Sequence, residues 1–153
     1  MKNFIVFDFI KFFKGKSLLI IHDNGLGDYF LVRNYFKYIK QSEKYKNYKI
    51  VYLAKKDRID CVKKYDKKYI DKIIKFSPER FENKEKYRTK ILKKLNRENI
   101  TDIVNIGIAF PLIDNEPYST ITICDYFKNA YKTAHIIEPE NEELKNKYSF
   151  IIE

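Results

Sequence analysis

The segment His22-Asp23-Asn24-Gly25-Leu26-Gly27-Asp28 puts an imidazole, two carboxylates and two glycines in one short stretch, directly after the apolar run Leu18-Leu19-Ile20-Ile21. Such a set can hold an anion and move a proton. The glycines let the backbone turn tightly and approach a ligand closely. Free N–H groups where the following helix starts favour negative charge. Asp28 closes the motif at that helix start. A helix start lowers an Asp pKa and weakens it as a base unless burial opposes the effect. The plainer role is a cap on that helix. His22 and Asp23 can contact a phosphate, with loop solvation as the alternative. Arg33, one turn into the helix, can reach an anionic ligand or simply face solvent.

Several chemistries drop out on spacing. Only Gly25 and Gly27 of a dinucleotide fingerprint are present; the third glycine position is Phe30, and Leu53-Ala54 is followed by Lys55-Lys56 where an acidic residue would stand. There is no Gly-Lys-Ser/Thr, so a P-loop is excluded. Cys61 and Cys124 form no CxxC pair and only 2 His are present, so neither a disulfide framework nor a metal site is expected, and no cofactor is implied. This cysteine usage suits a reduced, cytoplasmic protein.

Four β-rich segments position the loop: Ser17–Ile21, Ile50–Ala54, Asp71–Phe76 and Asp102–Ile106. Helical patterns fall between them. Tyr29–Gln41 carries Val32, Phe36 and Ile39 on one face, Asp57–Tyr65 is weaker, and Lys84–Glu98 repeats Tyr87, Ile91 and Leu95. A further helix over Ile121–Ala130, with Ile123, Phe127 and Ala130 inward, and a strand over Ala134–Ile137 follow a loop punctuated by Pro111 and Pro117. Strands alternating with helices predict an α/β, Rossmann-like parallel sheet flanked by helices. Leu18–Ile21 suits a strand buried on both sides. The 13 Tyr, many between lysines, are expected half-buried with their hydroxyls in water.

The organisation expected is a Rossmann-like domain over residues 17–137, with a polar segment over 138–153. Before it, residues 1–16 read as an amphipathic helix with Asp8, Lys11 and Lys14 on a narrow polar stripe. That helix packs on the domain or a partner, or lies on a membrane surface. Asp8 and Lys11 argue against a signal peptide.

The run from Leu18 to Leu31, with Gly25-Leu26-Gly27-Asp28 at its centre, resembles the opening of glycosyltransferase family 9, the heptosyltransferases. Tyr48–Ala54 is similar to that family's second strand, and Lys93–Asn105 to a later helix and strand. The resemblance covers about residues 17–137 and implies the amino-terminal, acceptor-side half of a two-domain GT-B enzyme. It implies metal-free, inverting transfer from a nucleotide-sugar to a cell-envelope or lipid-linked saccharide, with Asp28 as general base. His22, Asp23, Asn24, Gly25, Gly27 and Arg33 would then surround the acceptor. The family's donor-binding half has no counterpart here, so a separate or missing carboxy-terminal domain is implied and the chain alone is expected to be inactive. The stretch after Ile106 also lacks a basic residue common in the family.

Lys and Arg total 31 against 21 Asp and Glu, a formal charge of +10. The excess favours polyanions (nucleic acid, anionic membrane, phosphorylated substrate) without choosing among them, and a solvated lysine surface gives the same count. With the sugar reading, the expected place is the cytoplasm, peripheral on the inner face of the membrane. A non-catalytic basic module for nucleic acid or a protein is the alternative, as is a degenerate, truncated gene product. Lys44-Tyr45-Lys46-Asn47-Tyr48-Lys49 has the interleaving that a single strand needs. No RNA-binding motif accompanies it, and nucleic acid is not the expected partner.

Overall fold

The computed structural model describes residues 15–22, 25–109, 123–136 and 150–152. Its centre is β1 (Ser17–Ile21), every residue of which is buried. Two helices follow, α1 (Leu26–Val32) and α2 (Asn34–Gln41), and then β2 (Lys49–Ala54). A 3-10 turn, Lys56–Arg58, leads into α3 (Ile59–Tyr65), and a second, Lys67–Tyr69, leads to β3 (Lys72–Lys75). Next come α4 (Pro78–Asn83), α5 (Glu85–Asn96) and β4 (Ile100–Ala109). Strands β5 (Tyr131–Ile136) and β6 (Phe150–Ile152) complete the sheet.

The sheet has six strands in the order β3-β2-β1-β4-β5-β6, and every adjacent pair is parallel. This is the Rossmann order, and the fold is Rossmann-like α/β. The chain walks outward from β1 to β3, then returns to lay β4 on the other side of β1. That reversal puts the two groups of helices on opposite faces, as one crossover hand requires.

Side-chain alternation divides the core accordingly. Leu19, Ile21, Val51, Leu53 and Ile103 face Phe81, Ile91 and Leu95 of α4 and α5, together with Ile123 and Phe127. Leu18, Ile20, Ile50, Tyr52 and Ala54 face Tyr29, Phe36 and Val62 of the first three helices.

The four expected early strands are present, with shifts of a few residues at most at their ends. The expected helix over Tyr29–Gln41 is two helices, beginning at Leu26 and interrupted at Arg33. Of the helix expected over Ile121–Ala130, residues 121 and 122 lie outside the described residues, and 123–130 is not a continuous helix. Only Ile123–Asp125 has helical form, and i to i−3 bonds from Tyr126, Phe127 and Ala130 carry the chain through turns. Ile123 and Phe127 are buried nonetheless. Phe150–Ile152, placed by its sequence in a polar tail, pairs in register with Thr133–His135.

The amphipathic helix expected over 1–16 lies outside the described residues except at Gly15 and Lys16, as do the Pro111–Pro117 loop and the polar run 140–147. Among the described residues, no helix is long and apolar enough to cross a membrane.

The break at Arg33 coincides with a polar knot. Arg33 donates through Nε and Nη2 to the two oxygens of Asp66, at 3.2 and 3.1 Å, while the buried Tyr29 hydroxyl donates to Asp66 Oδ2. The guanidinium also lies 4.9 Å from the Tyr65 ring centroid. One buried carboxylate thus ties α1 and the α1–α2 junction to the end of α3. Burial, reinforced by Asp66, pushes the Tyr29 hydroxyl well above its ordinary pKa.

Asp66→Ala strands the Tyr29 hydroxyl, and urea unfolding should show a loss of about 2 kcal/mol. Arg33→Ala, at the part-exposed end of the pair, should cost under about 1 kcal/mol. Equal losses would contradict Asp66 as the centre of the knot.

Candidate functional site

The carboxyl end of β1 delivers His22 to the place where the sheet reverses direction, between β1 and β4, which is where open parallel sheets bind ligands. Register sets Ile21 beside Leu53 on one side and Asn105 on the other. His22 and Asn105 are both buried, an unusual pair of polar side chains at the end of an apolar strand pair.

His22 is held by Arg58, itself only 1% exposed. Arg58 Nη1 lies 2.9 Å from His22 Nδ1 and 3.3 Å from the His22 carbonyl, and Nε reaches Asp57 Oδ1 at 3.3 Å. A guanidinium can only donate, so Nδ1 accepts and the ring proton sits on Nε2. That Nε2–H is buried and has no partner among the described residues. Burial first, then Arg58, with a smaller push from Lys55, lowers the His22 pKa from 6.5 to about 4, although the Asp28 carboxylate works the other way. His22 is therefore a neutral donor near neutral pH. Tyr52 backs the cluster: burial raises its hydroxyl to about 12, opposed by Arg58.

Asp28 occupies the third position of α1. Its Oδ2 accepts the Gly25 N–H at 2.9 Å, closing the start of the helix. The capping role is therefore present, and Oδ1 has no partner among the described residues. Neither Gly25 nor Gly27 uses the left-handed backbone region that glycine alone adopts easily. A Cβ at Gly25 would stand 3.3 Å from Asp28 Oδ2, so this glycine makes room for the cap. A Cβ at Gly27 would meet nothing within 4 Å. Packing among the described residues gives no reason for Gly27, whereas close approach by another molecule would.

Of the residues expected around the loop, His22, Gly25, Gly27 and Asp28 belong to one edge site. Asp23 and Asn24 fall outside the described residues. Arg33 is committed to Asp66 and Tyr65, away from the role of an open anion ligand. Arg58 was not foreseen. It lies 36 residues from His22 in a lysine-rich stretch, and nothing local marks it for burial. Among the described residues, no group of three or more His, Cys, Asp or Glu is placed to hold a metal ion.

The Lys44–Lys49 stretch turns much of itself inward. Tyr45 is buried and packs edge-on against Tyr48, with centroids 5.1 Å apart. Lys44 pairs with Asp102, Lys46 with Glu43 and Lys49 with Glu98. This leaves no open ladder of rings for bases. Tyr29, Tyr45 and Tyr52 also depart from the half-buried state expected of the tyrosines, because these rings fill the core beneath the first helices.

Compared with known proteins, the chain matches no family model, no curated protein and no solved structure.

The depressed His22 pKa carries a pH signature. Between pH 6.5 and about 4 the unfolded chain binds a proton at this residue that the folded chain does not, so stability falls as the solution is acidified. The contribution is about 3 kcal/mol over that window. His22→Gln should flatten this part of the pH–stability curve in chemical denaturation. An unchanged slope would mean that His22 is not buried in its neutral form.

Proposed function

We propose that the chain is the acceptor-side half of a glycosyltransferase of the heptosyltransferase type, with Asp28 as the general base. The observation that carries this reading is the grouping at the end of β1. A carboxylate with one oxygen unengaged among the described residues stands near a neutral imidazole whose N–H has no partner among them, beside a glycine whose side is open. The resemblance of residues 17–137 to family 9 supplies the reaction class.

In this reading an acceptor saccharide hydroxyl lies against Asp28 Oδ1. As its oxygen attacks the anomeric carbon of a nucleotide-sugar, its proton passes to the carboxylate. The sugar–phosphate C–O bond breaks, and the nucleoside diphosphate leaves with the electron pair, inverting the anomeric carbon. Arg58 fixes the tautomer and position of His22, and the buried imidazole in turn supports the end of β1 from which the Asp28 loop departs. Arg58 is a positioning residue. The donor is held by a second Rossmann-like half, on this protein or a partner. The basic surface suits an acceptor displayed on an anionic membrane at its cytoplasmic face.

Asp28→Asn separates base from cap, because the amide oxygen still accepts the Gly25 N–H. Nucleoside diphosphate release is measured from a panel of nucleotide-sugars, with and without envelope saccharide, using protein isolated from its own cells. The variant should keep its melting temperature and lose about 100-fold or more of acceptor-dependent kcat. Undiminished turnover in Asp28→Asn, or no acceptor-dependent release from any donor, would overturn the proposal.

A further inference from the structure

A cleft of about 670 Å³ opens at the same edge of the sheet, across the ends of β2 and β3. Six cations line it: Lys55, Lys56, Lys75, Arg80, Lys90 and Lys94, against the single carboxylate of Glu79. Their convergence follows from the fold. Parallel register sets Lys75 level with Ala54, so Lys55 and Lys56 emerge beside it. Lys90 and Lys94 are one turn apart on α5, flanking the inward Ile91.

The surroundings distinguish this cleft from an ordinary lysine surface. At the opposite edge, Glu98 is shared by Lys49 and Lys72, Asp102 pairs with Lys44, and Asp71 pairs with Lys40. In the cleft, Lys56, Lys75, Lys90 and Lys94 have no ion pair among the described residues. The walls are built rather than loose. Tyr87 accepts the Ser77 N–H at 2.9 Å, the Arg80 guanidinium lies 4.7 Å from the Tyr87 ring centroid, and Phe76 and Ile91 give an apolar floor.

We propose that this cleft binds a compact ligand carrying two or more phosphate groups. Its volume falls within the usual range of small-ligand sites, about 300–1,000 Å³. Four unpaired ammonium groups in a concave space concentrate positive potential there. The carboxylate of Glu79, which lines the cleft among these cations, interrupts the positive track that a long polyanion would follow. The proposal does not depend on sugar transfer, because Asp28 takes no part in the cleft.

Inorganic pyrophosphate is the probe, titrated into the full chain by calorimetry at about 0.1 M salt, where long-range surface attraction is largely screened. Saturable one-to-one binding is expected. Lys90→Gln with Lys94→Gln should weaken it about tenfold or more. Lys67→Gln with Lys68→Gln, which removes equal charge from an exposed turn, should leave it within about twofold. Melting curves establish that both variants fold.

Absence of saturable binding would overturn the proposal, as would equal weakening by the two double variants. Tighter binding of a single-stranded oligonucleotide or an anionic phospholipid vesicle, dependent on Lys90 and Lys94, would overturn the compact ligand in favour of a polymer or membrane surface.

Discussion

Strand β1 has no solvent face. Leu18, Leu19 and Ile20 are fully buried, and the strand is hydrogen-bonded on one side to β2 and on the other to β4. Its alternate side chains therefore need two helical layers, and the chain must leave β1 in one direction and later return on the other side. Once both conditions are met, the first loop has to emerge at the carboxyl edge where the connections diverge. The position of His22, and of the helix start that follows it, is a consequence of that burial.

The two edges of the sheet then receive different electrostatic treatment. At the amino edge, Glu98, Asp102 and Asp71 gather the lysines that begin β2 and β3 or lie on neighbouring segments. Burial works to raise the Glu98 carboxyl, but hydrogen bonds from Lys49 and Lys72 outweigh it and hold it below its ordinary value. At the carboxyl edge the polar groups are less complete. Among the described residues, His22 keeps a buried N–H without a partner, Asp28 keeps an oxygen, and the lysines beyond β2 and β3 line a cleft. Buried or crowded polar groups left incomplete cost stability unless a ligand completes them. The proposed ligand sites rest on this difference, and at the amino end of β1 the buried Ser17 Oγ is the one comparable group without a partner among the described residues.

Much of the fold was legible because its signals are local. Apolar runs such as Leu18–Ile21 and Ile50–Ala54 can only be satisfied in a doubly covered sheet, and the helical spacing between them dictates crossovers. What escaped depends on distant partners. Tyr29–Gln41 reads as one helix, and Arg33, where it breaks, is held by Asp66, 33 residues away. Phe150–Ile152 is too short to stand out after a polar run, and only the free edge of β5 makes it a strand. The Gly25–Asp28 loop was visible as a motif, but the buried Arg58 behind His22 was not. The basic cleft was equally hidden, since Lys55, Lys75 and Lys90 become neighbours only through the β2–β3 register and the packing of α5.

Whether ligands are received at the carboxyl edge is decided by amide chemical-shift mapping of the isotope-labelled full chain during a pyrophosphate titration. Perturbations are expected at Lys55–Arg58, Ser77, Glu79 and Arg80, extending through Lys55 toward His22, with Lys49, Asn99 and Thr101 at the amino edge unmoved. Shifts concentrated at that amino edge, or spread evenly over exposed lysines of both edges, would contradict a ligand site at the carboxyl edge.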